Sequence, residues 1–358
     1  MEDSSVQWPG NPFLLSVEKK TRGDRIVSLV LIAAMLIWGY VDAKLSMIQF
    51  DDEVQSAEST VESPVEDEEM EIPELPKPSP EKVDNEGIIL PGDIYHEEDV
   101  FNILLLGTDE RTDRFNENAR ADAIMVLSLN TRSHTIKLVS IERGIGVPVP
   151  GRNDDWITHT FRYGGAALTM QTVRDCFKVD VDRYVRVNFH VFEKIIDAIG
   201  GVDIELTQLE ADGLNGKVYT NATTKHPVQA GWNHLDGYDA LQYSRIRFID
   251  TDWQRIERQR KAIQAAVNQV KDLSITELDH LANTALPMLQ TNLTKKEITG
   301  LLLEVSAFLM KGTQMEQMAI PTKETCWNSV GVDGRKMIGV DFEANAKILR
   351  EFFYETED

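Results

Sequence analysis

The chain has 358 residues and a formal net charge of -22, from 59 acidic and 37 basic residues. That balance argues against a nucleic-acid partner, while the length allows one large domain or two smaller ones with non-globular parts. The charge is uneven: residues 51–100 hold 18 Asp and Glu against two Lys, so the remainder is only mildly acidic.

Residues 1–25 read as a tail carrying Lys19, Lys20, Arg22 and Arg25. Ile26 to Val41 then runs for sixteen residues without a charge. As a helix it rises about 24 Å, a little short of a hydrocarbon core of about 30 Å. Arg25 and Lys44 can snorkel, and Trp38 and Tyr40 suit the interface. Basic residues before the run and acidic ones after it place the N-terminus in the cytoplasm and the rest outside the cell. No small-x-small cleavage site follows Val41, so residues 26–44 are expected to be an uncleaved signal anchor in the cell membrane. Residues 45–97 are acidic, rich in Ser and Pro and poor in apolar side chains. Such a segment is expected to be a disordered stalk, with Pro73, Pro76, Pro78 and Pro80 stiffening it as a spacer.

From residue 98 to 358 strands and helices alternate, which predicts one α/β domain with a mixed central sheet flanked by helices. Phe101–Leu106, Asp122–Leu129 and Thr135–Ile141 read as strands. At their ends lie Asp109 with Arg111, Arg120 with Asp122, and Arg143, and such strand ends are where α/β sheets build sites. Asp109 and Asp122 could hold Mg²⁺ against a phosphate, or these groups could form strand-end salt bridges. A helix is expected from Gly164-Gly165 to Phe177, a strand over Tyr184–Phe189, a helix over His190–Ile199 and a strand over Val202–Leu206. Later helices are expected over Thr276–Leu289, Lys295–Met310 and Phe342–Phe353, with a strand over Gln314–Ile320. Cys176 and Cys326 have no metal-ligand spacing; one disulfide or two buried thiols fit equally. The seven histidines suggest neither a zinc site nor a Ser-His-Asp triad.

Asp236 to Arg260 packs Arg245, Arg247, Arg255, Arg258 and Arg260 into one short span. In extended chain Arg245 and Arg247 project to one side, and with Asp252 as N-cap the next helix puts Arg255, Arg258 and Gln259 on one face. Permanently charged forks from two segments suit a pyrophosphate, although pairing with Asp250, Asp252 and Glu257 would also account for them.

Leu235-Asp-Gly-Tyr-Asp-Ala-Leu-Gln-Tyr-Ser-Arg-Ile-Arg247, followed by Asp252-x-x-Arg-x-x-Arg-Gln259, resembles the signature of the LytR–CpsA–Psr family. So do Gly107-Thr-Asp-x-Arg111, Arg120-x-Asp122 and Ser140-Ile-x-Arg143. The resemblance covers about residue 98 to the C-terminus. It implies a membrane-anchored, Mg²⁺-dependent phosphotransferase that moves a glycopolymer from an undecaprenyl pyrophosphate carrier to a peptidoglycan hydroxyl. It places Asp109 and Asp122 at the metal, and Arg120, Arg143, Arg245, Arg247, Arg255, Arg258 and Gln259 at the pyrophosphate. Asp109, Arg143 and Arg245 are the implied catalytic residues, with Asp109 orienting or deprotonating the acceptor. It also implies that Phe189, Phe192, Ile195, Ile196 and Ile199 help to wall a polyprenyl pocket, where core packing would equally explain them.

Two blocks depart from the family pattern. Ser140-Ile-Glu-Arg-Gly144 stands where Ser-Ile-Pro-Arg-Asp is usual, and Ile157-Thr-His-Thr-Phe161 where Ile-Asn-x-Ala-Tyr is usual. If the missing Asp orients Arg143, turnover is weakened unless Glu142 compensates, and the alternative function is a catalytically weakened polyprenyl-phosphate-binding protein acting in envelope assembly or regulation.

Overall fold

The computed structural model describes residue 35, residues 39–51 and 94–110, residue 115, and residues 119–310 and 315–354. Most of the expected membrane span lies outside these residues, and no described helix is long and apolar enough to cross a membrane. Lys44 onwards forms one compact unit.

Thirteen strands occur in the described chain: β1 (Gln49–Phe50), β2 (Val100–Thr108), β3 (Ala121–Asn130), β4 (Thr135–Ile141), β5 (Gly146–Val147), β6 (Asp155–Trp156), β7 (Arg183–Asn188), β8 (Val202–Leu206), β9 (Gly231–Leu235), β10 (Gln290–Thr291), β11 (Met315–Ile320), β12 (Cys326–Val330) and β13 (Lys336–Val340). Seven form the main sheet, in the order β1-β10-β7-β2-β3-β4-β11. The sheet is mixed as expected: β7 runs parallel to β2 and β11 parallel to β4, while β3 is antiparallel to both its neighbours.

Its strands read as nearly unbroken apolar runs because both faces are covered. Leu104, Leu106, Ile124, Val126, Val139 and Ile141 pack in a core with Ile157, Phe161, Val173 and Phe177, and with Leu349 and Phe353 of the closing helix Phe342–Phe353. The opposite face carries Leu105, Met125, Leu127 and Leu138, and over it stand the helices Phe189–Ala198 and Asp252–Lys271.

Several elements differ from the sequence reading. The helix expected from Gly164 runs over Ile157–Phe177 with non-helical dihedrals at Gly164 and Gly165, so the glycines interrupt a helix already begun. Gly237–Arg245 is a helix, capped by the Asp236 side chain accepting from the Asp239 N–H at 2.8 Å, where extended chain was expected around Arg245. Thr251, not Asp252, is the N-cap of Asp252–Lys271.

The folded unit also starts at Lys44, ahead of the acidic stretch, and not at residue 98. β1 pairs in parallel with β10, the Asp51 N–H donates to the Thr291 carbonyl at 2.8 Å, and Tyr184 Oη donates to the Asp51 carboxylate at 2.7 Å. Two paired residues carry no periodicity, which is why residues 45–51 read as stalk. The acidic stretch is thus flanked on both sides by the folded unit. Cys176 and Cys326 are free thiols buried in the core.

Candidate functional site

Between the sheet and its covering helices lies a cavity of about 1040 Å³. Leu105, Leu127 and Leu138 form its floor; Phe192, Ile263 and Val267 are among the side chains opposite. Of the five residues expected to wall an apolar pocket, Phe189, Phe192, Ile195 and Ile196 do so, whereas Ile199 is packed in the helix-side core.

Where β2, β4 and β7 end and β3 begins, the lining becomes charged. The β2–β3 register shifts at Gly107/Thr108, so that Gly107 pairs with Ala123 and Thr108 with Ala121. Asp122 is the extra residue of this bulge, a device that re-aims a side chain at a strand end. Its Oδ1 accepts from Arg143 Nη1 at 2.7 Å, and no other described hydrogen bond reaches its carboxylate. Burial alone would raise the Asp122 pKa, but Arg143, Arg255 and Arg120 together hold it below the ordinary carboxylate value. Asp109, just past β2, accepts from the Arg120 N–H at 3.0 Å and from Arg120 Nε at 3.2 Å.

A third carboxylate organises the cluster from behind. Asp252 occupies the first turn of its helix, where negative charge is favoured, and accepts from Arg255 Nε at 2.6 Å and Nη2 at 2.7 Å. It also accepts from Arg143 Nε at 3.3 Å, joining segments 109 residues apart. Burial would raise the Asp252 pKa, yet these two arginines bring it far below the ordinary value. Against Asp252 lies Glu142, whose pKa is pushed up to about 8, first by burial and then by the Asp252 charge.

Arg245 ends its helix with the guanidinium 4.6 Å from the Phe189 ring centre. That approach depends on Gly237, whose N–H donates to Asp197 at 2.7 Å and where a Cβ would stand 2.1 Å from the Glu193 carbonyl oxygen. The Arg247 N–H donates to Asn221 at 2.8 Å, and its guanidinium pKa is lowered by burial and by repulsion from Arg143 and Arg255. Crowding of like charge in a cleft makes this a candidate anion site. Arg120, Arg143, Arg245, Arg247 and Arg255 line this part of the cavity against Asp109, Asp122 and the backing Asp252.

Arg258 does not belong to this set, contrary to expectation. It is 2% exposed and forked onto Asp250, with bonds of 2.6 and 2.7 Å, and also donates to the Ile246 carbonyl. One turn of drift from Arg255 carries it beneath the cavity, so it fastens the Ile246–Asp250 segment. Gln259 does line the cavity, and Arg111 lies outside the described residues.

A family model described as the LytR_cpsA_psr family matches residues 54–353. The chain belongs to the LytR–CpsA–Psr family. It is 34% identical over 206 residues to the polyisoprenyl-teichoic acid–peptidoglycan teichoic acid transferase TagT of Bacillus subtilis, covering 57% of this chain and 63% of that protein. It is 33% identical over 232 residues to the corresponding TagU of Oceanobacillus iheyensis, covering 62% and 68%. The alignment thus spans slightly less than two thirds of TagT's own length. Among solved structures it resembles TagT bound to LIIa-WTA, with a TM-score of 0.57, 26% identity and coverage of 74% and 94%. It also resembles TagT with bound octaprenyl pyrophosphate lipid, with a TM-score of 0.54, 25% identity and the same coverage.

The departing block Ile157–Phe161 is tied to the strand ends that carry the arginines. Thr158 donates to the Ala121 carbonyl at 2.8 Å and its N–H to the Arg143 carbonyl at 3.3 Å, tying two strand ends together. His159 Nδ1 lies 3.0 Å from Asp155, which also accepts from Tyr163 and Arg335. The sequence reading missed Asp252 as the shared anchor of two arginines. It also missed Tyr219 and Phe248, exposed aromatics with ring centres 5.5 Å apart that line the same cavity. Phe248 has φ 72°, a conformation strained for a bulky side chain and so a signal only coordinates carry.

Proposed function

We propose that this protein transfers a phosphate-linked glycopolymer from an undecaprenyl pyrophosphate carrier to a peptidoglycan hydroxyl. The observation that carries the reading is one cavity with apolar walls for a prenyl chain and five arginines where those walls become charged. A pyrophosphate esterified at both ends carries two negative charges, which planar arginine forks bind well. The acceptor oxygen attacks the phosphorus bearing the saccharide, the bridging P–O bond breaks, and polyprenyl phosphate leaves. Asp109 orients the incoming hydroxyl and takes its proton. Arg143 and Arg245 stabilise charge on the phosphoryl oxygens and leaving phosphate. The exposed Tyr219 and Phe248, which line the same cavity, offer aromatic faces for the saccharide to stack on.

Mg²⁺ fits the donor set, since Asp109 and Asp122 supply hard carboxylate oxygens on one cavity wall and Asp122 keeps Oδ2 outside its hydrogen bond to Arg143. When bound, the ion would offset phosphate charge beside these carboxylates. The uncharged run at 26–41 is proposed as the anchor that keeps the domain at the outer face of the cell membrane.

The test is to incubate the full-length chain with a polyprenyl-pyrophosphate-linked saccharide, peptidoglycan fragments and Mg²⁺, following polyprenyl phosphate release. Release coupled to saccharide transfer, abolished by chelation and by Asp122→Ala, supports the assignment. Tight binding without release would instead favour a lipid-binding role, the reading that Gly144 in place of the usual Asp suggests.

A further inference from the structure

Glu142 stands where the family pattern has proline, and its surroundings give that substitution a use. Its N–H donates to the Ile320 carbonyl at 2.9 Å, a bond that proline cannot make. The side chain is 1% exposed. Oε1 accepts from the Gly144 N–H at 3.1 Å, whereas Oε2 is buried and accepts no hydrogen bond from any described residue. The neighbouring carboxyl is Asp252, already engaged by three N–H donors of Arg255 and Arg143. Two buried carboxyl groups in contact do not both ionise. The charge belongs on Asp252, which has the cationic partners, and the proton on Glu142, whose free oxygen is otherwise an orphan.

We propose that Glu142 is a positioning residue of the pyrophosphate site: as an un-ionised acid it donates from Oε2 to Asp252 and thereby fixes the carboxylate that holds Arg143 and Arg255. It thus replaces the absent acidic side chain after Arg143 from the other side of that arginine. A charged Asp at that later position would add a negative charge to the cluster; a neutral Glu142 adds a hydrogen bond and no charge.

The charged and titratable groups facing Glu142 are Asp252 and Arg255 from the helix, Arg143 from its own turn and the Cys326 thiol. Burial, Glu324 and Glu142 push that thiol up to about 11, so it stays neutral through the range that matters. The sign follows from the Glu142 pKa, which is raised from 4.5 to about 8 in the folded chain. The stability that this raised pKa confers is complete below pH 4.5, declines as pH rises from there because the unfolded chain ionises first, and is lost above about pH 8, where Glu142 ionises in the folded chain as well. Ionisation there also places a negative charge behind Arg143 and Arg255, opposing a pyrophosphate.

This inference rests on the pyrophosphate reading, and the experiment separates the two. The full-length chain and its E142Q and E142A variants are titrated with octaprenyl pyrophosphate from pH 6.5 to 9.5, and thermal melting is recorded for each. Glutamine keeps a neutral donor in nearly the same shape, and comparison with it cancels the ligand's own titration. E142Q should match the unmodified chain at low pH and bind about fivefold or more tightly than it at pH 9.5, the scale expected for one nearby partly buried charge. E142A should bind weakly at every pH while remaining folded. The melting temperature of the unmodified chain should fall relative to E142Q between pH 6.5 and 8. Parallel binding and melting profiles for the unmodified chain and E142Q would overturn the role of Glu142 while leaving the pyrophosphate site standing. Absence of binding by all three at every pH would overturn the pyrophosphate reading, and this proposal with it.

Discussion

The two faces of the central sheet are built from the same kind of sequence and end differently. Leu104 points into a closed core with residues of the helix Ile157–Phe177, while Leu105 beside it floors a cavity of about 1040 Å³. Strand alternation assigns neighbours to opposite faces, but what lies over each face decides whether it packs or stays open. Over the cavity face the helix Asp252–Lys271 stands off far enough that Ile263 and Val267 become lining. Arginine follows the same division: Arg255 faces the cavity from a shared carboxylate, whereas Arg258 is closed off by Asp250 and Glu210. An apolar or charged side chain is therefore a site residue only through what is left uncovered around it.

The sharpest way to break this comparison is to remove one charge from each side. Arg245→Ala should lower coupled polyprenyl phosphate release by about 100-fold or more, with little change in unfolding midpoint. Arg258→Ala should instead lower stability by about 3 kcal/mol in chemical denaturation, because it strands the buried Glu210 and removes the fork on the half-buried Asp250. A folded Arg258→Ala protein with normal stability and lost release would reverse the two assignments. The apolar counterpart is smaller: Leu104→Ala should cost about 2–5 kcal/mol, from lost transfer and an added cavity. Leu105→Ala should cost about 1 kcal/mol, because it enlarges a space already open, yet weaken octaprenyl pyrophosphate binding. Gly237→Ala tests the frame that carries Arg245; pushing its helix off Glu193 should cost about 1–3 kcal/mol and loosen binding modestly.

The long, strongly periodic elements were legible in advance. Thr135–Ile141, Lys295–Met310 and Phe342–Phe353 lie where the apolar pattern put them, and Asp109, Asp122, Arg120 and Arg143 gather at one edge because adjacent strands end there. The features that escaped depend on distant partners. β1 is only two residues long and exists through β10. Asp252 looks like a helix cap until Arg143 reaches it from 109 residues away. Arg255 and Arg258 share a helix face by spacing, but Asp250 closes over one and not the other, which no local pattern encodes. Glu142 illustrates the converse: its oddity was visible in sequence, and its meaning needed Asp252 beside it.

The most direct measurement is calorimetric titration of the full-length chain in detergent with octaprenyl pyrophosphate, octaprenyl alcohol and inorganic pyrophosphate in parallel. If one cavity joins apolar walls to the arginine cluster, the intact lipid should bind at least about 100-fold more tightly than either half. Each half should compete with it, and Arg245→Ala should reduce the advantage. Equal affinity for the lipid and the alcohol, unaffected by Arg245→Ala, would contradict the account, since the arginines would then have no part in holding the ligand.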